Sequence, residues 1–234
     1  MLFYYENSQG GLTCVIISLV LNIWVFVCAL FGTVYGVQNF FRPRKALYLQ
    51  MITCGIASLM YARLFQAIFM FTQGSLNEGF HVGFLGVAGS FIFLFVANYG
   101  QVDGLADDKS KKFRKTRIIA LAAPLAVIGL YYVFFLLVNN TELRISVGII
   151  AAIIICCSYY NLKHAIIYDV ELGIISQMRK YNVLALCYAA LTLLEYIGQY
   201  GGILPLYIIT GVLNGIVAAV MIPVLKEGFD KWII

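Results

Sequence analysis

Charge is what this chain has least of. Asp, Glu, Lys and Arg together make up 12% of its 234 residues, roughly half the share of an ordinary soluble domain. With 62% hydrophobic residues and a mean hydropathy of +0.89, too few polar groups are available to cover a water-soluble surface. Proline is nearly absent, with four in the chain, so long helices can run with few interruptions. The two histidines, His81 and His164, fall on runs expected to end on opposite sides of a membrane, which excludes a haem clamped between them. No lysine lies deep in an apolar run, which excludes a retinal Schiff base of the microbial rhodopsin kind. HExxH, GxSxG and a Cys/His nucleophile pair are missing too. No catalytic group, metal site or cofactor is therefore assigned. Cys14, Cys28, Cys54, Cys156, Cys157 and Cys187 all fall within apolar runs, so they read as small packing residues rather than a disulfide framework.

What the chain has instead is length of apolar sequence. A helix needs about 20 apolar residues to cross the hydrocarbon core. Cutting at charged and Gly/Pro breaks gives seven spans, at 11–38, 46–72, 79–100, 117–138, 145–167, 181–201 and 203–225. The expected fold class is all-α, with residues 1–234 forming one polytopic seven-transmembrane-helix domain. "MLFYYENSQGG" lacks the basic region of a cleavable signal, so the first span is expected to be retained.

Basic residues are distributed unevenly. Of sixteen Lys and Arg, fourteen follow the first, third, fifth and seventh spans; Arg144 lies on the other face and Arg63 inside a span. The positive-inside rule then predicts the N-terminus outside and the C-terminus cytoplasmic, in a multi-pass protein of the plasma or inner cell membrane. The net charge of +5 implies attraction to anionic headgroups at the cytoplasmic face and not to nucleic acid.

The stretch "LMYARLFQAIFMF" places Arg63 inside the second span. An intramembrane charge costs about 2.5–3.5 kcal/mol even on the lenient insertion scale, so it should face the interior and find a partner. Glu195, in "LTLLEYIGQY" of the sixth span, is the one intramembrane acid. Counting from Lys45 and Lys180 places the two charges at rises of about 27 Å and about 22 Å, both in the outer half. Tyr181, Tyr188, Thr192, Glu195 and Gln199 recur at helical spacing along one stripe of that span. Arg63, Gln66, Thr192, Glu195 and Gln199 therefore read as the polar floor of an outward-facing cavity for a small polar ligand, with Tyr188 deeper and His81 at the rim. Ser18, Asn22, Tyr207, Thr210 and Asn214 are further hydrogen-bonding candidates in the same interior. A buried ion pair can equally serve as a clamp between helices.

Gly83, Gly86, Ser90 and Ala97, and Gly211, Gly215 and Ala219, are small residues at helical intervals that permit close helix approach. Pro124 and Pro223 should bend their helices. After the third span, "NYGQVDGLADDKSKKFRKTR" carries Asp103, Asp107 and Asp108, followed by six basic residues. This acidic loop resembles that of membrane prenyl and lipid-phosphate transferases, which implies Mg²⁺ held against a diphosphate. "DGLADD" departs from the DG-x2-AR pattern, and Asp169 with Glu171 is the only second acidic set. A solvated turn balancing its basic neighbours is the simpler reading.

Spans one to three and five to seven run in the same directions around a linking fourth, with Arg63 and Glu195 on the middle member of each triplet. The layout looks like that of the three-plus-one-plus-three sugar and vitamin transporters of the SWEET and PnuC type, which implies solute transport. Seven spans with an outside N-terminus also resemble receptor bundles and bacterial seven-helix sensor domains. That layout implies a ligand in the outer cavity and signalling through cytoplasmic loops to a separate output protein. The sequence places the sensor first, the small-solute transporter second and a lipid-phosphate enzyme third. A polar route through the inner half, where Asn98, Tyr159, Tyr160 and Asn161 lie, would distinguish a transporter, since a sensor needs none.

Overall fold

A computed structural model of the chain describes residues 8–42, 45–74, 79–103, 111–167 and 174–233. Asp107, Asp108, Asp169 and Glu171 lie outside them. The described residues form helices α1 (Ser8–Gly36), α2 (Leu47–Gln73), α3 (Val82–Ala97), α4 (Arg114–Ala120), α5 (Ala122–Leu137), α6 (Thr141–Ile166), α7 (Ile174–Tyr200) and α8 (Leu204–Ile233), with no strand among them. Wider π-helical turns extend α1 over Val37–Phe41 and α3 over Asn98–Asp103. Helices α4 and α5 together form one crossing, so seven segments are long and apolar enough to span a membrane.

Local chemistry explains the punctuation. Helix α2 ends at Gly74, whose φ of 63° closes the helix as its N–H donates to the Met70 carbonyl, a conformation that glycine adopts without a Cβ penalty. Asn140 caps α6 by accepting from the Leu143 N–H at 3.2 Å, satisfying one of the orphan donors of the first turn. The fourth crossing breaks at Leu121, three residues before Pro124, whose ring crowds the carbonyl four residues back and offers no N–H. Pro223 is carried inside α8 without ending it. Helix α7 begins at Ile174 rather than 181, and α8 reaches Ile233 rather than 225. Hydropathy marks only the apolar part of a helix, whereas Arg, Lys and Glu at its ends continue the hydrogen-bond ladder.

Six crossings close a ring in the order α1, α2, α3, α6, α7, α8 and back to α1. The fourth crossing lies outside that ring, against α6 and α7. Only 17% of its apolar window is buried, against 61% for the sixth crossing. The ring has an internal regularity. Exchanging the triplet α1–α3 with α6–α8 leaves the set of neighbours unchanged, as expected of parallel three-helix repeats about an axis along the membrane normal.

Small residues set two of the seams. A Cβ on Gly86 would lie 2.7 Å from the Ala62 Cβ and 2.9 Å from the Ser58 carbonyl oxygen, so α3 presses directly on α2. One on Gly198 would lie 2.5 Å from the Tyr207 N and 2.8 Å from its Cα, which holds α7 equally close to α8. Without a hydrophobic driving force between helices in lipid, such backbone proximity supplies the packing attraction. Both seams flank the charged residues of the interior.

Candidate functional site

Arg63 and Glu195 meet in the middle of the ring. Nη1 donates to Oε1 and Nη2 to Oε2, each at 2.7 Å, a two-pronged pairing that matches the planar guanidinium to the carboxylate. Their side chains are 4% and 2% exposed. Helices α2 and α7 are not neighbours in the ring, so the side chains reach across it and join the two triplets.

Two asparagines and a glutamine complete the cluster. Asn214 of α8 donates to Glu195 Oε2 at 2.7 Å. Asn22 of α1 accepts from Arg63 Nη1 at 3.2 Å and donates to the Ser18 carbonyl at 2.8 Å. Gln66, one turn along α2, accepts from Nη1 at 3.4 Å. Four helices therefore converge on one ion pair. Among the described residues, the buried polar atoms of this region without a hydrogen-bond partner are Arg63 Nε, Asn214 Oδ1, His81 Nδ1 and the hydroxyls of Ser18, Tyr196 and Tyr207.

A small pocket adjoins the cluster. Phe65, Gln66, His81, Gln199 and Tyr200 line it, and its room of about 10 Å³ is that of a single water. Gln66 belongs to both pocket and cluster, so the two are continuous. His81, at the entrance to α3, packs tilted against Phe84 with ring centroids 4.4 Å apart and stacks on Phe65 at 6.0 Å. Burial, and secondarily the Arg63 charge, push its pKa down to about 4, so it is neutral at pH 7.

The structure thus brings Arg63, Gln66 and Glu195 into contact and puts Gln66, His81 and Gln199 around the pocket. The expected water-filled recess is reduced to this small pocket, with room for about one water. Tyr188 and Thr192 lie apart from the pair. The Tyr188 hydroxyl donates to Ser90 Oγ at 3.1 Å, and its ring stacks on Phe91 at 4.6 Å. Thr192 donates back to the Tyr188 carbonyl at 2.8 Å, a local bond that keeps its hydroxyl on its own helix.

A second charged cluster occupies the opposite end of the bundle. Lys163 Nζ donates to Asp103 Oδ1 at 2.6 Å, and His164 Nε2 lies 3.2 Å from the same oxygen. Lys163 is 3% exposed and His164 fully buried. Desolvation raises the Asp103 pKa, but the hydrogen bonds and charges of His164 and Lys163 outweigh it and hold the carboxyl below its ordinary value. From the sequence, Lys163 counts only as one of the basic residues of the cytoplasmic face and Asp103 as part of a solvated turn. The missed signal was the register: Asp103 and Lys163 end adjacent crossings at the same face.

Between the clusters, Asn98 Nδ2 donates to Asn161 Oδ1 at 2.6 Å, and Asn161 in turn donates to the Cys157 carbonyl at 2.9 Å. Arg63–Glu195, Ser90–Tyr188, Asn98–Asn161 and Asp103–Lys163 are therefore successive polar cross-links. Each joins one triplet to the other. From Ser90 to Asp103 alone they extend over about 20 Å of helix rise.

Seven crossings of this length and composition among the described residues, six of them enclosing a polar interior, define a multi-pass integral membrane protein. Comparisons of the chain with protein-family models, curated proteins and solved structures found no match.

Proposed function

We propose that the protein carries a small polar solute across its membrane by rocking its two triplets about the central cross-links. The observation that carries this reading is the polar ladder through both halves of the bundle. A lipid-embedded interior needs no hydrogen-bonding groups for stability, and buried polar pairs that join two triplets with the same order of neighbours are suited to breaking and reforming in turn. Arg63–Glu195 acts as the latch at the outward end and Asp103–Lys163/His164 as the latch at the cytoplasmic end. The outward placement of the N-terminus, and contact of the basic end with anionic headgroups, follow from the Lys/Arg bias.

A sensor is the second reading, favoured by one contact. Gln66 lines the pocket and binds Arg63, so a ligand in the pocket has a direct route to the charge pair and, through it, to a cytoplasmic output protein. The ladder supports the carrier over the sensor, because a carrier needs polar groups through the inner half and a sensor does not.

Net flux separates the two. Proteoliposomes holding the full chain are offered a mixture of isotope-labelled small polar solutes, and the lumen is assayed by mass spectrometry. A carrier accumulates at least one solute above protein-free vesicles. If none enters while the same mixture alters the protein's thermal stability, the sensor replaces the carrier.

A further inference from the structure

We infer that the ligand of the Arg63–Glu195 cluster is a small zwitterion, a molecule bearing a carboxylate and an ammonium a few ångströms apart, such as an α-amino acid. This rests on the cluster being the binding site and holds for a carrier and a sensor alike.

Charge balance restricts what the cluster can hold. Among the described buried residues of α1, α2, α7 and α8, Arg63 and Glu195 are the only charged side chains, and each is the other's counter-ion at 2.7 Å. The pocket beside the pair has room for about 10 Å³, so a ligand larger than water that reaches both charged heads has to part them. Parting strands a cation and an anion together in a low-dielectric interior, and each then needs a replacement partner. A polyol replaces neither charge. A carboxylate alone satisfies Arg63 and leaves Glu195 stranded; an amine alone does the reverse. A zwitterion inserted between the separated heads satisfies both and leaves the interior neutral.

The atoms without partners fit the same ligand. Arg63 Nε is a spare donor on the cation, and a carboxylate can take it together with an Nη hydrogen in a side-on fork. Asn214 Oδ1 is a spare acceptor on the amide already bound to Glu195. An ammonium has three donors to distribute, so Glu195 and Asn214 Oδ1 together suit it. The spare donor is carried by the cation that an anion would meet, and the spare acceptor by the amide bound to the anion that a cation would meet. His81, neutral at pH 7, adds no third charge.

The test uses the purified full chain in nanodiscs and reads thermal unfolding, which needs no flux. The probes are the standard amino acids with β-alanine and glycine betaine, then acetate, methylamine and glycerol. Each protecting amino acid is also tested as its methyl ester, which masks the anion, and its N-acetyl derivative, which masks the cation. At least one zwitterion should raise Tm by about 5–10 °C at saturation, both masked forms should lose that shift, and acetate, methylamine and glycerol should give none. The Arg63→Met/Glu195→Leu double variant should melt cooperatively and not respond. Equal protection by a masked form, by acetate, methylamine or glycerol, or by no zwitterion at all overturns the inference. Glycerol entering vesicles would leave the carrier standing and sink the zwitterion; zwitterion protection without flux would do the opposite.

Discussion

Removing Glu195 should damage the protein more than removing both members of its ion pair. Glu195→Leu leaves the Arg63 guanidinium in a site where it is 4% exposed, with only the weaker contacts to Asn22 and Gln66 at 3.2 and 3.4 Å. Arginine cannot shed its proton to escape, so the full penalty of a broken buried pair applies, about 3–5 kcal/mol. Arg63→Met should cost less, because the Glu195 carboxyl keeps its 2.7 Å bond from Asn214. The double variant Arg63→Met/Glu195→Leu replaces two charges with apolar chains of similar length and should lie within about 1 kcal/mol of the parent or above it. At roughly 2–4 °C per kcal/mol for a chain of this size, Glu195→Leu alone should lower Tm by about 6–20 °C. Circular dichroism melts of all four proteins in one detergent give the comparison. If the two single effects simply add in the double variant, or if Glu195→Leu melts with the parent, the pair is not coupled and the argument from stranded charge fails.

Four further outcomes follow from the same geometry. Asn214→Leu removes a charge-assisted bond to Glu195 and should cost about 1.5–3 kcal/mol in the same melts. Gly198→Ala drives a methyl into the Tyr207 backbone and should lower stability by about 1–3 kcal/mol, whereas Gly74→Ala, with nothing within 4 Å of the added Cβ, should show only the smaller strain of its positive φ. Asp103 has a depressed pKa in the folded state, so its contribution is present above the ordinary aspartate value of about 3.9 and is lost as pH falls through the lower folded value. Asp103→Asn should therefore melt below the parent at pH 7, and the gap should close as pH drops below about 4. His81 has a folded pKa of about 4 against an ordinary value of about 6.5, so the unfolded chain binds the proton first and stability falls as pH drops between those values. His81→Phe keeps the ring stacking and should flatten that part of the stability–pH curve.

The crossings were legible because the hydrocarbon core imposes a length that sequence displays directly. The charge pair was legible for a related reason: one cation and one acid stood inside apolar runs at comparable depth, and each had to find the other. Asn22 and Asn214 were only candidate hydrogen bonders in sequence, since many helical faces carry an amide and spacing alone does not say which one meets a carboxylate. Lys163 escaped because a lysine near a helix end ordinarily reaches for headgroups. Its burial depends on the π-helical turn over Asn98–Asp103 and on α3 lying beside α6, a long-range arrangement that periodicity cannot express. The small size of the pocket was equally hidden, because a polar stripe indicates which face turns inward and not how much space is left there.

The two halves of the central ion pair are 132 residues apart along the chain, and this spacing bears on biosynthesis. At a synthesis rate of about 5–20 residues per second, Arg63 emerges roughly 7–26 s before Glu195 has been made. Throughout that interval the second helix must be accommodated beside the translocation machinery with its charge uncompensated. Ribosomal pausing between the two codons should lengthen the exposure, and chains stalled before the sixth crossing should be preferred substrates for membrane proteolysis.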